Sequence, residues 1–487
     1  MRAAYRYILL SFTLLLAGLS GFSQPGQLRF TQVNVNDGLS HNQVNCILKD
    51  SRNFLWFGTL SGLSRYDGYG FKVFRHDMRD SASLSDNYIT GIFELPGDKL
   101  WIVTRNGEDI YDAGTETFDR NTAAYLRRLS LPNGVVDAIV KDKAGNYWFL
   151  YDQAGLYRYR PNASPPVHIQ YRSGDAAGLS NNEVAAIAAD NAGNIWILQG
   201  DGMLEKLDAK TGKVTYRNDT LRKMNNASSQ PYRIFIDRDD DLWMYISGDA
   251  AGVYYFNPAK EAFLHLTKDA GPHRLNNDIV YAITQDSKGT IWVGTDHGGI
   301  NLVSKKDFSV RYLMHNPEDP KSLAQNSVYA LYRDGTGIIW VGTYKKGVCY
   351  YNEIFNRFPL YSHEPDNLHS LPYEDVNRFV EDQQGNLWIG TNGGGLIYFD
   401  RQNNAFRQFV HNPADPGSLC NNVIVGLCMD RDHKLWIGTY YGGLDCYDGK
   451  TFTHYRHDPR DSTSLSNDKV WDVFEDKAGN IWAGTLG

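Results

Sequence analysis

Ten of the eleven tryptophans in this chain fall at 56, 101, 148, 196, 243, 292, 340, 388, 436 and 482, separated by 45 to 49 residues, and Trp471 alone stands outside the series. A fixed period of that length marks a repeat architecture, in which each unit buries its apolar face against the next. The period has to be explained before any local motif is interpreted.

One unit shows the internal order. Ser322 to Val328 form a polar turn, Tyr329 to Tyr332 an apolar run, Asp334-Gly335-Thr336-Gly337 a second turn, and Ile338 to Val341 a second run. Gly342-Thr343, a short polar turn and Gly347-Val348-Cys349-Tyr350 follow. The runs are short, rich in β-branched and aromatic side chains, and bounded by Gly, Asp, Asn or Ser, which is the pattern of strands. No stretch within a unit holds the 3.6-residue period of a helix. Four short strands per repeat give an all-β chain, a β-propeller of four-stranded blades. The strands are lettered A to D from the axis outward, with the repeated Trp on strand B. Its regularity marks it as a wedge between neighbouring blades.

Leu28 to Val33 precedes the Gly38-Leu39-Ser40 turn just as strand D precedes that turn elsewhere. An orphan D strand is expected to close the ring by pairing with the last blade, which removes two exposed sheet edges. Seven Trp units reach Tyr351, so residues 24–352 are expected to form one complete seven-bladed ring. Phe355 to Tyr361 is expected to open a second ring in the same way. About three blades of it would lie in 353–487, truncated within a strand B near Gly487. The chain reads as the N-terminal part of a longer protein.

The first residues read as an address. Arg2 and Arg6 precede an apolar run from Tyr7 to Leu19, and Gly21-Phe22-Ser23 follows with small residues where a signal peptidase reads them. A signal peptide over 1–23 is expected, cleaved before Gln24. The run falls short of the roughly 20 residues a spanning helix needs, so the chain left after cleavage is not membrane-spanning. Lys and Arg number 49 against 56 Asp and Glu, a net charge of −7, which gives no electrostatic case for binding nucleic acid. The five cysteines follow neither a disulfide framework nor a zinc spacing and read as small buried apolar residues.

The A–B turns repeat with little change, as in Asp142-Lys143-Ala144-Gly145-Asn146 and Asp382-Gln383-Gln384-Gly385-Asn386. Asp237 to Asp241 is the most acidic of them, but it lacks the Gly and the closing Glu of a calcium loop. No metal and no cofactor is expected. The Asn of the D–A turn (Asn42, Asn87, Asn182, Asn326, Asn422) is expected to satisfy turn backbone groups with its side chain.

The Gly-Leu-Ser-x-Asn-x-Val turn, clear at Gly38 to Val44 and Gly178 to Val184, recurs with a Leu/Ile-Trp-x-Gly-Thr strand, clear at 291–295, 339–343, 387–391, 435–439 and 481–485. Together these resemble the two-component regulator propeller repeat. The resemblance implies the periplasmic sensor of a hybrid two-component histidine kinase, binding an oligosaccharide. It also implies a longer parent, anchored in the inner membrane as a homodimer, that carries the kinase.

Unlike the A–B turns, the B–C turns differ from blade to blade, and a constant frame with variable loops on one face is how a scaffold carries recognition. The expected ligand contacts there are Arg105, Tyr151, Gln199, His297 and Lys345. Aromatic and amide groups suit a sugar, and basic ones an acidic sugar. The Gly-Thr after Trp becomes Val103-Thr104, Leu150-Tyr151, Leu198-Gln199 and Tyr245-Ile246 in four consecutive blades, through drift or to shape one side of a binding surface. No catalytic residue is assigned: the chain has no Gly-x-Ser-x-Gly elbow, no His-Glu-x-x-His and no phosphate loop. The competing readings are a propeller glycoside hydrolase or polysaccharide lyase, and a secreted protein-interaction scaffold.

Overall fold

Strand after strand in the computed structural model pairs with its sequence neighbour, so each Trp unit becomes one antiparallel sheet. The structure describes residues 28–161, 163, 165–269, 271–353, 361–363 and 370–487. The signal segment 1–23 lies outside them, as does the strand expected over Phe355 to Tyr361, apart from Tyr361 itself. The chain divides into two compact units, Leu28–Arg357 and Phe358–Gly487.

The first unit holds seven four-stranded sheets. Blade 1 runs Val44–Lys49, Leu55–Thr59, Gly62–Tyr66 and Phe71–Phe74 in simple up-and-down order. Blade 7 takes Val328–Arg333, Ile338–Thr343 and Val348–Asn352 from one end of the unit and Thr31–Val33 from the other, with Thr31 opposite Tyr350 and Val33 opposite Val348. Phe30 anchors that splice: it is buried, meets Trp292 edge-on at 6.4 Å, and its N–H donates to the Lys321 carbonyl. Neighbouring blades touch through their A strands, except that strand B of blade 5 meets strand A of blade 6, and blade 7 lies against blade 1, so the blades follow one another round an axis.

Strand B is buried on both faces. Trp56 packs with Ile89 and Ile102 of the following blade, whereas Phe57 packs with Trp340 of the preceding one. Six of the tryptophans, from Trp56 to Trp292, are fully buried. Each of seven repeats ties its indole N–H to the Asp six residues earlier, at 2.7 to 3.4 Å, as Trp148 does to Asp142 and Trp436 to Asp430. The Asp that opens the A–B turn is therefore also a core group. The Gly of Trp-x-Gly-Thr lets the next blade approach. A Cβ on Gly294 would stand 2.7 Å from Val328, and one on Gly342 would stand 2.9 Å from Val44.

The acidic Asp237–Asp241 turn holds an ammonium. Lys305 reaches from blade 6 to Asp237, Asp239 and Asp241 at 2.7, 2.6 and 2.8 Å. The expectation of no helical period needs one correction. Thr122–Arg128 and Thr220–Met224 are short helices after strand D of blades 2 and 4. Two turns or fewer bury only Tyr125 and Leu126, or Leu221, too few positions to print a period on the sequence.

The second unit contains two more four-stranded sheets, beginning at Val376–Glu381 and Ile424–Met429, and a hairpin of Val470–Glu475 with Ile481–Thr485.

Candidate ligand-binding face

The variable B–C turns lie beside the constant D–A turns. In blades 1, 2, 3, 4, 6 and 7 the first N–H of the B–C turn donates to the carbonyl just ahead of strand A, as Arg105 does to Tyr88, Asp296 to Ile279 and Tyr344 to Ser327. The D–A turn beneath is fixed by its Asn, whose Oδ1 accepts the N–H that ends the preceding D strand: Tyr171 to Asn182 and His315 to Asn326, each at 2.7 Å. That Asn is consumed by the frame. The Thr after Gly is consumed too, with Thr295 Oγ1 donating to the Gly299 carbonyl and Thr343 Oγ1 to that of Gly347.

The five expected contacts separate into two groups. Arg105, His297 and Lys345 are exposed on the turns. His297 adopts a left-handed φ of 59° and sets Nδ1 3.0 Å from Asp296, while Lys345 lies over the Tyr344 ring at 4.9 Å. Tyr151 and Gln199 are not displayed. Both are the last residue of a strand B buried at every position. The Tyr151 hydroxyl donates to the Pro132 carbonyl at 2.9 Å, and its ring packs with Leu126 and Tyr157. Burial pushes that phenol up. Gln199 Nε2 donates to Glu205 at 2.7 Å within the blade. These two support the face from below. The Gly replacements behave likewise: Leu150, Leu198 and Tyr245 are buried in the seams between blades.

A third set of residues on this face escaped sequence reasoning. Strand A begins with a constant apolar residue, and a β-bulge follows it in blades 1, 2, 3, 4, 6 and 7. A bulge leaves one residue unpaired and re-aims its side chain. The residues so placed are Asn45, Thr90, Asp137, Ala185, Tyr281 and Tyr329, with Arg233 at the same position in blade 5. They reach one another across blade boundaries. Tyr281 and Tyr329 lie 4.3 Å apart by ring centroid, Asn45 Nδ2 donates to the Ile89 carbonyl, and Asp137 feels both Asp152 and Arg233. Partial burial raises the Asp137 carboxyl, Asp152 adds to that rise, and Arg233 opposes it. Tyr344, on the B–C turn of blade 7, extends the aromatic pair at 5.2 Å from Tyr329. The signal available in the sequence is variability directly after the constant Val or Ile of the D–A motif. The same register in the second unit holds Trp471, the tryptophan outside the period, with Tyr440 at 5.6 Å.

The repeat itself is recognised by the two component regulator propeller family model at 38–61, 274–297, 322–345, 370–393, 418–441 and 464–487. Among curated proteins, the chain is similar to histidine kinase P4 of Formosa agariphila, 38% identical over 63 residues, which is 13% of this chain and 5% of that one. Among solved structures, it is similar to the extracellular domain of a B. thetaiotaomicron protein described as a hybrid two-component system, BT3049, with a TM-score of 0.58 and 21% identity. That match covers 94% of this chain and 64% of the other. The extracellular domain of B. thetaiotaomicron BT4673 is also similar, at 20% identity and a TM-score of 0.47, covering 94% of this chain and 57% of that one. The repeated motif and the family model agree: the chain carries two component regulator propeller repeats, folded as antiparallel sheets.

Proposed function

We propose that this chain is the periplasmic ligand-sensing region of a two-component receptor. Its ligand is an oligosaccharide, bound on the face formed by the B–C turns and the strand A bulges. Its output is a cytoplasmic histidine kinase carried by a longer, membrane-anchored and dimeric parent. The observation that carries this reading is the split within each repeat. Trp, Asp, Gly, Asn and Thr are occupied in holding blades together, while the bulge and B–C positions on one face change chemistry from blade to blade. A face of tyrosines, amides and charged groups offers both stacking surface and hydroxyl partners. A sensor must also bind its ligand differently in its two signalling states, since equal affinity shifts nothing.

Calorimetry of the whole chain against oligosaccharides cut from plant, algal and host polysaccharides tests this, with reducing ends followed in the same samples. Saturable heat with no new reducing ends is the expected result. New reducing ends would replace the sensor with a glycan-cleaving enzyme, and heat from none of the saccharides would overturn the reading.

A further inference from the structure

The strand A bulge residues and the B–C turns of blades 6 and 7 meet in one place. Tyr281, Tyr329 and Tyr344 form a continuous aromatic surface, with centroid separations of 4.3 and 5.2 Å and interplanar angles of 39° and 33°. All three are partly exposed. Tyr281 is supported from behind: the Tyr245 hydroxyl donates to its carbonyl at 3.2 Å, and Gly248 lies under its ring, where a Cβ would stand 3.2 Å away.

Basic groups edge this surface. Lys345 stands over the Tyr344 ring, and its backbone N–H is held by Gln325 Oε1 at 2.8 Å, which fixes the turn while leaving the ammonium outside. Lys346 follows it, and among the described residues neither ammonium has a carboxylate within 4 Å. That contrasts with Lys305, which three carboxylates surround. His297 projects from the adjacent B–C turn, its N–H donating to Ser327 Oγ.

We infer that Tyr281, Tyr329 and Tyr344 are the stacking platform for a pyranose ring, and that Lys345 and Lys346 select a saccharide carrying an anionic group. A pyranose presents an apolar C–H face to an aromatic ring, and phenol hydroxyls at the rim can exchange hydrogen bonds with its hydroxyls. An unpaired ammonium beside that platform favours a carboxylate or sulfate as a charge-assisted partner. A neutral sugar would gain from the platform alone. This inference rests on the saccharide-sensor reading and adds to it the residues and the charge class.

The test is calorimetry on the whole chain with three probes: an oligogalacturonide, a sulfated chondroitin oligosaccharide and maltotriose. The expected result is that one of the two anionic probes binds, more weakly at higher salt, and which one binds separates carboxylate from sulfate. Y329A should weaken that binding about tenfold or more, Y329F should retain most of it, and the K345A/K346A pair should weaken the anionic probe to the level of maltotriose. Should Y329A unfold, Y344A probes the same platform from its exposed edge. Binding of an anionic probe that is indifferent to Y329A and Y344A overturns the platform and leaves the saccharide reading standing. Maltotriose bound as tightly as either anionic probe overturns the charge selection. If a broad glycan array shows no saccharide bound by the unmodified chain, the sensor reading fails and this inference with it.

Discussion

Trp148 Nε1 donates to Asp142 Oδ2 across 2.8 Å, while Oδ1 of the same carboxylate accepts the N–H of Asn146 at 2.9 Å. One buried Asp thus locks the A–B hairpin to the wedge residue of its blade. Asp142→Ala would strand a buried indole N–H and open the turn at once. The expected cost is about 2–3 kcal/mol, the scale of hydrogen bonds to a charged group. Chemical denaturation of the whole chain measures it. A variant as stable as the parent would reduce the Asp to a turn former.

Gly342 and Val44 sit where blade 7 meets blade 1, and Gly342→Ala would drive a methyl to 2.9 Å from Val44 Cγ1. Overpacking of this kind costs about 1–3 kcal/mol. The double variant with Val44→Ala should recover part of that loss, because the shortened side chain makes room. A double-mutant cycle showing no coupling between the two would mean that the seam between first and last blades does not bear on stability.

Much of the frame was legible because its signals are steric and repeat. The Trp spacing gives the blades, and Leu28 to Val33 shows its role by lacking the three strands that should precede it. The candidate face is legible only in part. In the sequence Tyr151 and Gln199 read as turn residues, but each closes a strand B that neighbouring blades cover on both sides. Period-2 alternation cannot reveal exposure in a strand covered on both faces, so the strand's end has to be placed to within one residue. Tyr281 and Tyr329 look like ordinary strand residues in sequence, and only the register shift beside Val280 and Val328 frees them. A bulge has no composition of its own, which is why it went unseen.

Lys305 supplies the cation that the Asp237–Asp241 turn demands. Burial works against its charge, but bonds to the three carboxylates outweigh that and raise its pKa above the ordinary lysine value. Lys305→Met would leave Asp237 and Asp241 buried without their partner. The expected destabilisation is about 3–5 kcal/mol, as for other buried pairs broken from one side. Thermal unfolding of the whole chain checks it, and an unchanged midpoint would show that solvent already screens the cluster.

His454 carries a pH dependence that its counterparts lack. Its Nδ1 lies 2.6 Å from Asp445 Oδ1, in the strand C to strand D pairing that sets Arg217 beside Glu205 at 2.8 Å in blade 4. The other Asp445 oxygen accepts the Cys420 N–H at 2.8 Å, so the carboxylate also holds the D–A turn. Around the imidazole stand Asp445, the Pro416 carbonyl at 2.9 Å, the Cys420 thiol and the Arg456 guanidinium. Burial lowers the His454 pKa, but the bonds to Asp445 and Pro416 outweigh it and the net shift is upward. A group whose pKa is raised on folding contributes stability in full below its unfolded value, near 6.5. That contribution fades as pH climbs through the higher folded value. The second unit should therefore lose stability as pH rises above about 6.5. His454→Arg, which gives Asp445 a permanent cation as Arg217 gives Glu205, should flatten that slope. Denaturation of the whole chain across this range compares the two. Parallel profiles would mean that another group sets the pH response, whereas a slope in the parent that vanishes in the Arg variant assigns it to this pair.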